Sequence, residues 1–142
     1  MTKCFNRAMF VGFITKEPEF IVTNKDNVLA KVDLAVERPY KIKDKNGNLR
    51  TPADFVRVNC WRRIGEIVHQ YLHKGDMVLF EGEFHCSTYT WEGQRRIVWA
   101  LDARLVRFLK TENPDAVAMT AEDQETFDYG GDLGSYDVGD VW

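Results

Sequence analysis

The stretch VLAKVDLAVE (28–37) alternates. Val28, Ala30, Val32, Leu34 and Val36 point one way, and Lys31, Asp33 and Glu37 point the other. A period of two marks a β-strand with one face in a core, and slipping it by one residue would invert both faces. Much of the chain before residue 110 reads the same way. FNRAMFVGFI (5–14) is apolar enough for a buried strand, and in MVLFEGEF (77–84) Val78, Phe80, Gly82 and Phe84 share a face. CSTYTW (86–91) and RRIVWALDARLVRFL (95–109) flank a turn at Glu92–Gly93–Gln94 and read as a hairpin. The second of these alternates through Ile97, Trp99 and Leu101, then loses phase near Ala103, as a bulge or a short helical ending would require. PYKIKDKNGNLRTPADF (39–55) carries a turn signal at Asn46–Gly47 and reads as a basic arm, a candidate hairpin.

One segment breaks the rule. In RRIGEIVHQYLHKGD (62–76), Ile64, Ile67, Val68, Tyr71 and Leu72 form a single stripe at helical spacing, and Gly75 is a natural stop. The order is three strands, one helix, then two or more strands. A lone helix between strands 3 and 4 of a small all-β domain predicts a five-stranded Greek-key barrel, the OB-fold, over residues 1–110.

Charge divides the chain at the same place. Residues 1–110 hold nineteen bases and thirteen acids, a net +6, whereas residues 111–142 hold nine acids and no base, a net −9. That asymmetry points to a basic, polyanion-binding domain followed by an acidic tail. Glycine, acids and small residues without periodicity predict disorder over 111–142.

No apolar run approaches the roughly 18–20 residues of a membrane span, and MTKCFNRAMF lacks the apolar core of a secretory signal. No membrane association and a cytoplasmic location are expected. Three widely spaced cysteines, Cys4, Cys60 and Cys86, suit reduced thiols better than a disulfide framework. His69 and His73 have the spacing of a zinc pair but lack both the glutamate of the H-E-x-x-H pattern and a third ligand. His85 beside Cys86 is a weaker metal signal, because adjacent strand residues face opposite ways. Asp33, Glu37, Asp54 and Glu81 lie apart with no ligand-like spacing. No catalytic site, metal or cofactor is expected.

DFVRVNCW (54–61) carries the binding chemistry. Val56, Val58 and Cys60 suit a core face, while Phe55, Arg57, Asn59 and Trp61 mix two large aromatics with a cation and an amide. Such a face is expected to be an exposed platform, since Arg57 would be costly to bury unpaired. Similar interleaving recurs: Tyr40 with Lys41 and Lys43, Trp61 with Arg62 and Arg63, Tyr89 and Trp91 with Arg95 and Arg96. Arg62 and Arg63 also stand at the positive end of the helix dipole, where they do not help stability. Rings that stack on any base and cations that follow phosphates are what an unpaired polynucleotide needs. Tyr71 and Trp99 read instead as core, or for Trp99 as a subunit contact.

These stretches resemble the bacterial-type single-stranded DNA-binding protein family, with its phage and plasmid members, over about residues 4–110. The most specific part is the ordered set Asp54–Phe55, Trp61, Glu66, Tyr71–Leu72, Lys74–Gly75–Asp76 and Glu81–Gly82. The resemblance implies stacking by Tyr40, Phe55, Trp61 and Tyr89, and binding of single-stranded DNA with little sequence preference and no catalysis. It also implies homo-oligomers, tetramers or dimers, with residues 5–14 in the dimer contact. The chain departs from the pattern at Gly65, where alanine is usual, and at Phe13 and Val56. Family tails end in acids and an aromatic; here Asp137, Asp140, Val141 and Trp142 would fill an apolar, basic-rimmed pocket on replication and repair proteins. An RNA-binding OB domain and a protein-interaction barrel are the competing readings.

Overall fold

The computed structural model describes residues 3–23 and 27–110; the acidic stretch 111–142 and the disorder expected of it lie outside the described residues. The elements are β1 (Ala8–Ile14), β2 (Glu19–Val22), β3 (Val28–Glu37), β4 (Ile42–Lys43), β5 (Leu49–Arg50), β6 (Ala53–Trp61), α1 (Arg62–Tyr71), β7 (Met77–Trp91) and β8 (Gln94–Lys110). β1 pairs antiparallel with β7, β7 with β8, and β3 with β6, while β8 runs parallel beside β6 over Val58↔Leu101 and Asn59↔Asp102. The end of β1, still paired with β7 at Phe13↔Met77, also pairs with β3 through Phe13↔Ala35 and Ile14↔Leu34, so the pairing returns to the strand it began with. β2 extends the sheet on the free edge of β3.

The inward side chains fill the interior that results. Ala30, Val32 and Leu34 of β3, Val58 and Cys60 of β6, Val78 and Phe80 of β7, and Leu101, Ala103 and Val106 of β8 form one buried cluster. The helix contributes Ile64, Ile67 and Val68 from its apolar stripe and lies against β3 and β6. Tyr71, expected in the core, is half-buried at its margin beside Phe108.

Two sequence expectations resolve here. The loss of phase near Ala103 is a bulge: Glu81 faces Leu105 while Gly82 faces Ala103, leaving Arg104 as the extra residue. The inward set then switches from Leu101 and Ala103 to Val106 and Phe108. At Gly82 a side chain would overlap the Asp102 carbonyl, so the bulge requires a residue without Cβ. The helix, in contrast, stops at Tyr71, well short of Gly75. The Asp76 carboxylate accepts the His73 N–H (2.9 Å), and Gly75 N–H donates to Ile14 carbonyl (2.7 Å), so residues 73–76 form a turn docked on β1.

Gly65 shows why propensity alone misleads. Glycine costs a helix roughly 1 kcal/mol relative to alanine. At this position, however, a Cβ would overlap the Cys60 carbonyl oxygen, so glycine lets α1 sit close on the end of β6. Gly65→Ala is therefore expected to lower unfolding stability by about 1–3 kcal/mol through overpacking. Urea denaturation measures this, and an increase in stability would show that helix propensity outweighs the close approach.

Candidate nucleic-acid interface

The outward face of β6 carries Phe55 and Arg57. In the β3–β6 register Phe55 lies opposite Ala35, and Arg57 opposite Asp33. Ala35 is small and leaves the phenyl ring open; Phe55 is 74% exposed. Arg57 donates through Nε to Asp33 Oδ1 (2.5 Å), and Lys16 Nζ meets the other carboxylate oxygen at 3.0 Å. Burial alone would push the Asp33 carboxyl up, but the hydrogen bonds from Lys16 and Arg57 outweigh it and hold the group below its ordinary value. The guanidinium is thus anchored at one edge with a third of its side chain open to solvent.

A second wall comes from the hairpin formed by β7 and β8. Its two-residue loop, Glu92–Gly93, has positive φ at both positions (50° and 74°), the geometry of a type I′ turn. Tyr89 pairs with Arg96 and Trp91 with Gln94 across it. Between this hairpin and β6 lies a groove of about 660 Å³. It brings together Phe55, Arg57, Tyr89, Trp91 and Arg96 of the expected site, with Lys31, Asp33, Val56, Val98 and Trp99. Burial lowers the Lys31 ammonium from its ordinary value.

The basic arm does form a hairpin, β4 with β5. Asp44 holds its turn by accepting the N–H groups of Asn46 and Asn48, both at 2.9 Å. The root of the arm is tied to β6: Arg38 forks onto Asp54 (3.1 and 2.7 Å) and donates to the Tyr40 hydroxyl (2.9 Å). The Arg38 hydrogen bonds hold the Asp54 carboxyl below its usual value. Tyr40, half-exposed, is fixed in this way at the root of the arm, with Lys41 and Lys43 exposed beyond it.

A model of the family described as "Single-strand binding protein family" matches residues 5–109. The chain belongs to that family. It is 33% identical to single-stranded DNA-binding protein 3 of Listeria innocua over 85% of this chain and 74% of the relative. It is 34% identical to single-stranded DNA-binding protein B of Bacillus subtilis over 74% of this chain and 90% of the relative. Among solved structures, "Plasmodium falciparum SSB complex with ssDNA" shares the fold with a TM-score of 0.66 at 22% identity, covering 78% of this chain and 99% of that one.

In this member of the single-strand binding family, Trp61 is not the exposed ring that the sequence led one to expect. It is only 4% exposed, and its indole hydrogen-bonds the Asp102 carboxylate, as does the Asn59 amide. Burial pushes the Asp102 carboxyl up; the charge of His85, 3.4 Å away, and these two hydrogen bonds offset part of that rise. The last four residues of β6, Val58–Trp61, are all buried, so both faces of the strand are covered there. A buried indole N–H needs an acceptor, and Asp102 supplies it. Trp61 is therefore a packed side chain tied to β8 rather than an open ring.

Arg62 and Arg63 are exposed at the start of α1, Arg63 beside Glu66 at 3.4 Å; neither these nor Arg95 lines the groove. Two groove residues escaped the sequence reading. Trp99, read as core or subunit contact, is 55% exposed and stacks on Phe84 (5.5 Å, 13°). Lys31 was placed correctly on the outer face of β3, but nothing in the sequence set that face beside β6. Asp137, Asp140, Val141 and Trp142 lie outside the described residues. Among the described residues, no group of three or more His, Cys, Asp or Glu side chains is arranged to hold a metal ion, and no helix is long and apolar enough to cross a membrane.

The two aromatics of β6 should separate cleanly in stability. Trp61→Ala is expected to cost about 3–5 kcal/mol, as for other buried aromatic truncations. Phe55→Ala should stay within about 0.5 kcal/mol of wild type, as for exposed positions. Chemical denaturation of both variants measures this; equal effects would show that the burial difference is not what the solution structure contains.

Proposed function

We propose that this chain binds single-stranded DNA, the ligand in its relatives' names, that it does so without reading the sequence, and that it protects the strand during replication, recombination and repair. The observation that carries the reading is the groove: exposed rings of Phe55, Tyr89 and Trp91 stand around the anchored guanidinium of Arg57, with Arg96 on the opposite wall. Flat rings take any base, and fixed cations take phosphates. Tyr40, Lys41 and Lys43 on the arm extend the same chemistry beyond the groove, and Arg62, Arg63 and Arg95 supply further phosphate contacts. The reaction is binding alone, with no chemical step.

The pairing circuit β1–β7–β8–β6–β3–β1, with α1 between β6 and β7, supports a five-stranded OB-fold barrel. Met9 and Val11 stand exposed on the outer face of β1 and give a second copy of the chain an apolar surface, which supports self-association as a dimer or tetramer. The nine acids of 111–142, with Asp137, Asp140, Val141 and Trp142, suit a recruiting segment for replication and repair proteins.

Fluorescence titration with oligo(dT) across a salt series tests the reading. Trp91 and Trp99 line the groove, so wild type should show strong quenching and an affinity that falls steeply with salt. Phe55→Ala should lose about 1–3 kcal/mol of binding, a factor of roughly 5–150. Absence of quenching would favour a protein-interaction barrel, and tighter binding of poly(U) than poly(dT) would favour an RNA-binding one.

A further inference from the structure

Cys4 and Cys86 are free and exposed, whereas Cys60 is buried completely. The β1–β7 register runs through Gly12↔Val78 and Phe10↔Phe80 to Ala8↔Gly82. Regular pairing ends there, yet the chain stays on β7. The Asn6 side-chain amide donates to the Phe84 carbonyl (2.9 Å), and its oxygen accepts the Phe84 N–H (3.1 Å). The Asn6 side chain therefore fills the partner position opposite Phe84, and residue 6 is the one that continuation of the register puts there. Cys4 is two residues beyond Asn6 and Cys86 two residues beyond Phe84; because the strands are antiparallel, both steps lead in the same direction. An extended chain spans at most about 3.3–3.6 Å per residue, so the Asn6 anchor keeps Cys4 within about 7 Å of that point. Directly opposed residues of antiparallel strands have Cα atoms roughly 4.5–5.5 Å apart, inside the range a disulfide accepts.

We propose that Cys4 and Cys86 form a reversible disulfide that locks the N-terminal segment onto the β7–β8 hairpin. The oxidant is a small-molecule disulfide. The Cys86 thiolate attacks one of its sulfurs, that S–S bond breaks, and one small thiolate leaves, giving a mixed disulfide on Cys86. The Cys4 thiolate then attacks the Cys86 sulfur and expels the second small thiolate. Two protein thiols are oxidised to one disulfide, one small disulfide is reduced to two thiols, and the two protons released by the cysteines go to those thiols. Cys60 stays outside this chemistry: burial, and less strongly the Asp102 charge, push its thiol far up, and it is closed to reagents.

The lock would act next to the groove. Cys86 pairs with Trp99 across β7–β8, and Trp99 lines the groove and stacks on Phe84, the residue that Asn6 holds. Closing the disulfide restrains the hairpin that carries Tyr89 and Trp91. This consequence, though not the disulfide itself, rests on the DNA-binding reading.

The test treats the full chain with oxidised glutathione under native conditions, then blocks free thiols and maps peptides without reduction. The expected result is an intact chain lighter by two hydrogens before blocking, a linked peptide pair containing Cys4 and Cys86, a Cys60 free of glutathione that carries only the blocking group, and complete reversal by dithiothreitol. Cys4→Ser and Cys86→Ser should each abolish the link, and both substitutions are at exposed positions. Recovery of both cysteines as free thiols or stable glutathione adducts overturns the proposal, as does a link that joins two chains and grows with protein concentration. Oxidised wild type should release oligo(dT) more slowly than reduced wild type, with no such difference in Cys4→Ser. Equal release rates with the disulfide formed overturn the lock. Failure of reduced protein to bind oligo(dT) at all counts against the proposed function and leaves the disulfide map intact.

Discussion

A guanidinium between aromatic side chains is costly to hold out of water unless a counter-charge sits beside it. Arg57 has that counter-charge because β3 and β6 pair with Asp33 opposite Arg57, and Lys16 completes the group from outside the sheet. The position of positive charge in the groove is therefore set by a backbone register. A slip of β6 by one residue would send Arg57 towards the core, bring Val56 out and leave Asp33 without its partner. The same register sets Phe55 against a small neighbour and leaves its ring open. The arm repeats the device at its root, where Arg38 on Asp54 fixes Tyr40.

Much of this was legible in the residues. The alternation of 28–37 matches β3 to the residue, 54–61 misses β6 by one, and the loss of phase near Ala103 is the bulge at Arg104. Periodicity reports which face of a strand a residue takes, but not what covers that face. That limit accounts for the burial of Trp61 and for the exposure of Trp99 in the single chain. Trp61 takes the outward face, as expected, but at the helix end of β6 that face is covered too. Trp99 shares its phase with Leu101, yet only Leu101 is buried, because beyond Ala100 the β7–β8 hairpin extends past the interior and has no core to face. The early end of α1 depended on the Asp76 carboxylate capturing the His73 N–H, a contact that no helical periodicity encodes.

One strand, β8, carries both groups. Its Asp102 accepts from Trp61 and Asn59, while Val98 and Trp99, a few residues earlier, line the groove. Trp61 thereby ties β6 to β8 from a closed position, and it does not present an open surface to a ligand. Both the interleaving of aromatics with bases and the family resemblance implied stacking there.

The central claim is that rings and cations of this groove receive an unpaired DNA strand. Backbone amide and arginine side-chain chemical shifts followed during titration with a short oligo(dT) test it most directly. The account predicts the largest perturbations at Phe55, Arg57, Tyr89, Trp91 and Arg96, smaller ones at Tyr40 and the arm, and little change on the outer face of β1. Perturbations centred on α1 or on Met9 and Val11, with the groove signals unmoved, would contradict it.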